Sequence, residues 1–166
     1  MAPSTVASGV PSCYFDPSWQ EGAMEIAFAE AYKAARAGEV PVGAALFWDG
    51  ELVAVSGNER ESLNDPLAHA ECTAIRLAAR KLGFWRLDRA ALAVTLEPCP
   101  MCAGALILAR IPVLVYGADD PRAGAAGTLY DLTGDPRLNH SVKVFRGVLR
   151  EKSSALLKGF FEDRRY

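Results

Sequence analysis

Two short motifs, His69-Ala70-Glu71 and Pro98-Cys99-Pro100-Met101-Cys102, constrain this 166-residue chain more than anything else in it. One imidazole and two thiols are borderline-soft metal ligands of the kind zinc takes, and a fold that uses them must bring together segments thirty residues apart. A structural zinc site closes its tetrahedron with four protein groups, whereas a catalytic one leaves the fourth position to water, whose pKa falls to about 7. Three ligands, His69, Cys99 and Cys102, leave Glu71 as a carboxylate that the metal does not need. It reads as the proton carrier of a hydrolytic reaction.

A rival reading uses the same residues. His69-x-x-Cys72 with Cys99-x-x-Cys102 has the spacing of a closed Cys3His structural site. Cys72, however, lies among Ala70, Ala74 and Ile75, where a free cysteine packs as a small hydrophobe. The closed site also leaves Glu71 beside a metal without a task.

Around the motifs the pattern alternates between helical and extended segments, which predicts helices packed on a mixed sheet. Residues Ser18 to Ala37 read as a helix, with Asp16 or Ser18 as cap, Met24, Ile26, Ala27, Phe28 and Ala31 as apolar face and Gly38 as stop. Val42 to Trp48 and Leu52 to Ser56 are short apolar runs joined by Asp49-Gly50, a hairpin signal. Helices are expected from Ala68 to Leu82, ended by Gly83, from Cys99 to Ala109, and from Arg150 to Arg164. Strands are expected at Leu92–Leu96, Val113–Tyr116 and Val142–Phe145. The 24 residues between Gly117 and Val142 exceed what a hairpin needs, so the last two strands can run parallel. Each motif opens a helix, so Cβ atoms tilted toward the N-terminus can converge in front of two helix ends. The unpaired amides and positive dipole end there favour thiolates.

Size and charge narrow the class further. The chain fits one domain, 18–166, behind a leader, 1–17, that is expected to be disordered and lacks the basic start and apolar stretch of a signal peptide. No apolar run approaches the ~20 residues a membrane helix needs, and four cysteines with a metal-type Cys-x-x-Cys suit a reducing cytoplasm. The net charge of −2 argues against a nucleic-acid binder, but its distribution argues the other way. Residues 143–166 carry seven basic against three acidic side chains, whereas the first 142 carry eleven against seventeen. A basic end on an acidic body offers an edge for phosphates.

At its metal motifs the chain resembles the zinc-dependent deaminases that act on nucleobases. Val40-Pro41-Val42-Gly43-Ala44, Asn58, Thr95-Leu96-Glu97-Pro98-Cys99, Cys102-Ala103-Gly104-Ala105, Gly124-Ala125-Ala126-Gly127, and Phe160-Phe161 with Arg164-Arg165 resemble the bacterial tRNA-specific adenosine deaminases. The similarity covers about residues 20–165. It implies a three-layer α-β-α cytidine-deaminase-like fold with a central mixed five-stranded sheet. It further implies zinc, one per subunit, on His69, Cys99 and Cys102, with Glu71 moving protons and Asn58 hydrogen-bonding a flipped base. The implied reaction is hydrolytic deamination of adenosine to inosine at the wobble position of a tRNA anticodon, and the implied assembly is a homodimer to which Met101, Leu106 and Ile107 could contribute. The alternative is the same chemistry on a free base or nucleotide of guanine or cytosine type. Asp119 stands where the family usually has a basic residue. Read from the residues alone, Gly124–Gly127 is a flexible turn without the Lys-Ser or Lys-Thr of a phosphate loop. By the same reading His140 is a loop hydrogen-bonder, and Trp48, Trp85, Phe160 and Phe161 are core or interface residues.

Overall fold

A computed structural model describes residues 8–164. Helix α1 (Pro17–Arg36) starts where the carboxylate of Asp16 accepts the Ser18 amide at 2.9 Å, with Pro17 in the first turn. Its apolar side, Ala23, Met24, Ala27, Phe28 and Ala31, lies so close to strand β1 (Gly43–Trp48) that a Cβ at Gly43 would overlap the Ala27 carbonyl oxygen. Strand β2 (Glu51–Gly57) returns antiparallel through Asp49 and Gly50, at φ 51° and 82°. Two successive positive φ values are what a type I′ turn requires, and the Asp-Gly pair supplies them.

Helix α2 (Ala70–Leu82) ends on Gly83, left-handed at φ 83°. Strand β3 (Ala90–Leu96) runs into helix α3 (Pro100–Leu108), then strand β4 (Val113–Ala118), strand β5 (Lys143–Phe145) and helix α4 (Arg150–Glu162). The sheet order is β2-β1-β3-β4-β5. β1 is antiparallel to both β2 and β3, while β3, β4 and β5 run parallel, so the long 119–142 connection is a crossover. The architecture is the expected three-layer α-β-α arrangement, with a mixed five-stranded sheet at its centre.

Period-2 alternation divides the core between the layers. Ala44, Leu46, Leu92, Val94, Leu114 and Tyr116 face α2 and α3, packing on Ala70, Ala74, Ala78, Leu106 and Ile107. Ala45, Phe47, Ala91, Ala93, Val113 and Val115 face α1, and Leu156 of α4 joins them there. Helix α4 is tied to the sheet where the Ser153 hydroxyl donates to the Thr95 carbonyl.

One expectation needs correction. Residues 1–7 of the expected disordered leader lie outside the described residues, but within residues 8–16 Val10, Cys13 and Tyr14 pack against the body. Tyr14, in the short 3-10 turn Ser12–Phe15, is fully buried. Its hydroxyl donates to the Arg89 carbonyl and accepts from the Gly50 amide, both at 3.0 Å, and its ring lies 4.7 Å from Trp19. One aromatic side chain with two backbone partners orders a segment whose Pro and Ser content reads as unstructured. Much of α3 faces the chain's own core. Leu106 and Ile107 are buried in the chain's own core, and the outward face is Met101, Gly104, Ala105 and Leu108, with Leu108 72% exposed. Trp48 packs on the core beside Phe84, whereas Trp85 is 62% exposed and no core residue. Among the described residues no helix is long and apolar enough to cross a membrane.

Candidate metal centre and substrate cavity

His69 is the N-cap of α2 and Cys99 the N-cap of α3. Ser, Thr, Asp and Asn dominate such positions because their side chains bond the first free amides. Neither His69 nor Cys99 does so, and both side chains are turned to each other. His69 Nδ1 lies 3.6 Å from the Sγ of Cys99 and 3.6 Å from the Sγ of Cys102. With Zn–S near 2.3 Å and Zn–N near 2.0 Å, the edges of a zinc tetrahedron are about 3.5–3.8 Å, so the donors already stand at ligand separation. Among the described residues, this is the group of three or more metal-capable side chains whose donor atoms lie within 4.8 Å of one another. Cys72 is not part of it, although its Sγ is 3.6 Å from that of Cys102.

The protonation chemistry of the group suits a cation. A hydrogen bond from Cys102, joined by one from His69, holds the Cys99 thiol down at about 4, far below an ordinary cysteine. Cys102 is pushed the opposite way, by its hydrogen bonds to Cys72 and Cys99 and by burial. The hydrogen bond with Cys99 raises the imidazole of His69. Two thiolates cannot share so small a buried space unless a positive charge lies between them, and a divalent metal supplies one. Glu71 sits in the first turn of α2, 4% exposed, and burial pushes its carboxyl up to about 7. A carboxyl so raised exchanges protons near neutrality, as a general acid–base requires.

In front of these residues lies a cavity of about 220 Å³ lined by His69, Glu71 and Cys99, by Val40, Val42, Asn58 and Arg60, and by Leu96, Glu97, Asp120 and Ala123. Asn58, 7% exposed, accepts the Arg60 amide through Oδ1 at 3.3 Å and donates to the Val40 carbonyl at 3.4 Å, which fixes its amide at the cavity wall. A second groove of about 820 Å³ shares Val40, Leu96 and Asp120 with the first, then extends past Arg122, Leu157, Lys158, Phe161 and Arg164.

Every site residue expected from the sequence is therefore gathered at one place. His140 stands apart, its Nε2 2.8 Å from the Ile111 carbonyl oxygen. Asp119 accepts from the Tyr116 hydroxyl at 2.8 Å and lies 3.6 Å from Arg150, so its charge is already partnered. The sequence reading missed Arg60, Glu97 and Asp120. Of these only Glu97 leaves a trace in the chain, as an acid closing an apolar strand, which must find partners if buried. The Gly124–Gly127 segment is no loose turn, for Ala125 and Ala126 are fully buried.

A sheet with a metal-type donor group and a buried acid at two helix starts is the framework of a deaminase, and residues 18–165 match the MafB19-like deaminase family. The tRNA-specific adenosine deaminase of Bacillus subtilis strain 168 is 48% identical over 142 residues, covering 86% of this chain and 88% of that protein. A solved structure from a study of A-to-I editing by tRNA:A34 deaminases superposes with TM-score 0.79 at 45% identity, covering 82% of this chain and 99% of the other. A guanine deaminase from Nitrosomonas europaea superposes with TM-score 0.70 at 26% identity, covering 87% and 84%. The chain belongs to the tRNA-specific adenosine deaminases of the MafB19-like deaminase family.

Proposed function

We propose that this protein converts adenosine to inosine at the wobble position of a tRNA anticodon, exchanging the exocyclic amine for a water-derived oxygen and releasing ammonia. His69, Cys99 and Cys102 would hold one zinc per chain, which when bound supplies a water activated for attack. Glu71 is placed to pass the first proton of the attacking water to the ring nitrogen, and then the second, from the newly formed hydroxyl, to the amine that leaves as ammonia. Asn58 holds the flipped base by its fixed amide, and Val40, Val42 and Leu96 keep bulk water from its faces.

The continuity of the cavity with the outer groove carries the choice of substrate. A pocket for a free base closes over it, whereas here Val40, Leu96 and Asp120 belong to both spaces, so flanking nucleotides have room outside. Arg122, Lys158 and Arg164 along the groove suit their phosphates. The outward face of α3 supports a homodimer: Met101, Gly104, Ala105 and Leu108 recur there at helical spacing and would be covered by a second copy. The cytoplasm is the compartment that such a substrate implies.

The test incubates zinc-loaded protein with its host tRNA pool and, in parallel, with free adenosine, guanine and cytidine. Inosine at position 34 of tRNA is expected. Activity on a free base with none on tRNA overturns the reading.

A further inference from the structure

Glu97 is 2% exposed, yet it is a carboxylate on the rim of the cavity, one residue beyond β3 and two before Cys99. Its oxygens face the 119–130 loop. Oε2 accepts the Asp120 amide at 2.9 Å, and Oε1 accepts the amides of Ala126 at 3.2 Å and Thr128 at 3.0 Å. Three amide donors hold the buried carboxylate, each satisfying an oxygen that burial has taken from water. The loop is shaped to this carboxylate. A Cβ at Gly124 would overlap Glu97 Oε2, so the close approach needs glycine there. The Ala125 amide meanwhile donates to the Pro98 carbonyl at 2.9 Å, and Arg146 donates to the Ala126 carbonyl at 3.1 Å.

We propose that Glu97 is a positioning residue: its buried carboxylate fixes the 119–128 loop, and with it Asp120 and Ala123 of the cavity wall, in register with the metal-donor loop at Cys99. With its oxygens bonded to three loop amides, it acts on the substrate only through the wall it holds. The residue is continuous in the chain with Pro98-Cys99, so one side chain references both the reacting centre and the surface against which the nucleotide lies. The inference rests on the proposed function for what the wall binds, and on geometry alone for what holds the wall.

Two substitutions test it on the zinc-loaded chain. Glu97→Gln keeps the size of the side chain but turns one acceptor into a donor facing an amide, and Gly124→Ala displaces the carboxylate from the other side. Amide hydrogen exchange is measured together with KM and kcat on an anticodon stem-loop. Expected in both variants is exchange at least tenfold faster over 119–130 with α2 and α3 as protected as in the parent. Zinc content stays at one per chain, KM rises about tenfold, and kcat falls less than about threefold. The double variant should be no worse than the more impaired single one, since both break one contact. Unchanged exchange over 119–130 overturns the inference, and so does a loss of thermal stability or of kcat with KM unchanged. If the parent shows no activity on RNA, that result counts against the proposed function alone, and the exchange pattern decides the role of Glu97.

Discussion

The sulfur of Cys72 lies 3.6 Å from the sulfur of Cys102, yet Cys72 stands outside the donor group that Cys102 forms with His69 and Cys99. Contact with one donor does not make Cys72 a member of the group. Cys72→Ser should therefore leave zinc stoichiometry at one per chain, read by metal analysis after dialysis against a weak chelator. A fall to substoichiometric zinc would restore the closed four-ligand site.

Glu71 is given a proton-transfer role and no share in holding metal. Glu71→Ala should keep zinc and lose about 10²–10⁴-fold in turnover, the range of positioned acid–base groups. Loss of zinc in that variant would make Glu71 a ligand and remove it from proton transfer.

Glu39 gives acid sensitivity a defined source. It is 1% exposed, and burial by itself raises its pKa. Hydrogen bonds from the Ser62 amide and hydroxyl, both 2.7 Å, and from the Glu61 amide at 3.2 Å, with Arg60 nearby, outweigh this and hold the carboxyl below the usual range. A depressed folded-state pKa means the stabilisation is present in full above the unfolded value of about 4.3 and is lost as pH falls through the folded value. Glu39→Gln should cost roughly 1–3 kcal/mol at pH 7, the range for orphaned buried donors. In urea titrations between pH 6 and pH 3 its difference from the parent should narrow steadily. A constant difference would show that the charge of Glu39 is not what stabilises the Asn58–Ser62 turn.

Tyr14 ties the first ordered residues to the hairpin. Tyr14→Phe removes the donor to the Arg89 carbonyl and the acceptor for the Gly50 amide, and should lower stability by roughly 1–3 kcal/mol in equilibrium unfolding. Burial, the largest influence, also pushes the phenol up to about 12. A raised folded-state value means its contribution is intact below about pH 10 and declines from there toward pH 12. The Phe variant should lack that alkaline decline. An unaltered alkaline limb would assign the decline to other groups.

What the sequence disclosed and what it hid follow from the range of the interactions concerned. The Asp49-Gly50 turn, the stop at Gly83 and the donor trio were legible because each is a local demand on residue type: a positive φ or a metal-ligand side chain. The parallel course of β4 and β5 was legible from the length of the intervening segment. The cavity wall was not. Glu97 meets Asp120, Ala126 and Thr128 through their backbone amides, 23 to 31 residues away, and an amide is offered by every residue except proline. The same reason hid Glu39, whose partners are two amides and a hydroxyl. Tyr14 was misread because the composition of its neighbours outweighed one buried ring.

β1 runs opposite to β2, β3 and β4, and this has a practical outcome. The start of β1, the end of β2 and the ends of β3 and β4 all lie at one edge of the sheet, and that edge carries Val40, Asn58, Leu96 and Asp120. The Asp49-Gly50 turn sits at the far edge, six strand residues away, or about 20 Å at 3.3 Å per residue. A dye or a surface tether attached through that turn stands away from the reacting end, which leaves the mouth free for a bulky polynucleotide to approach.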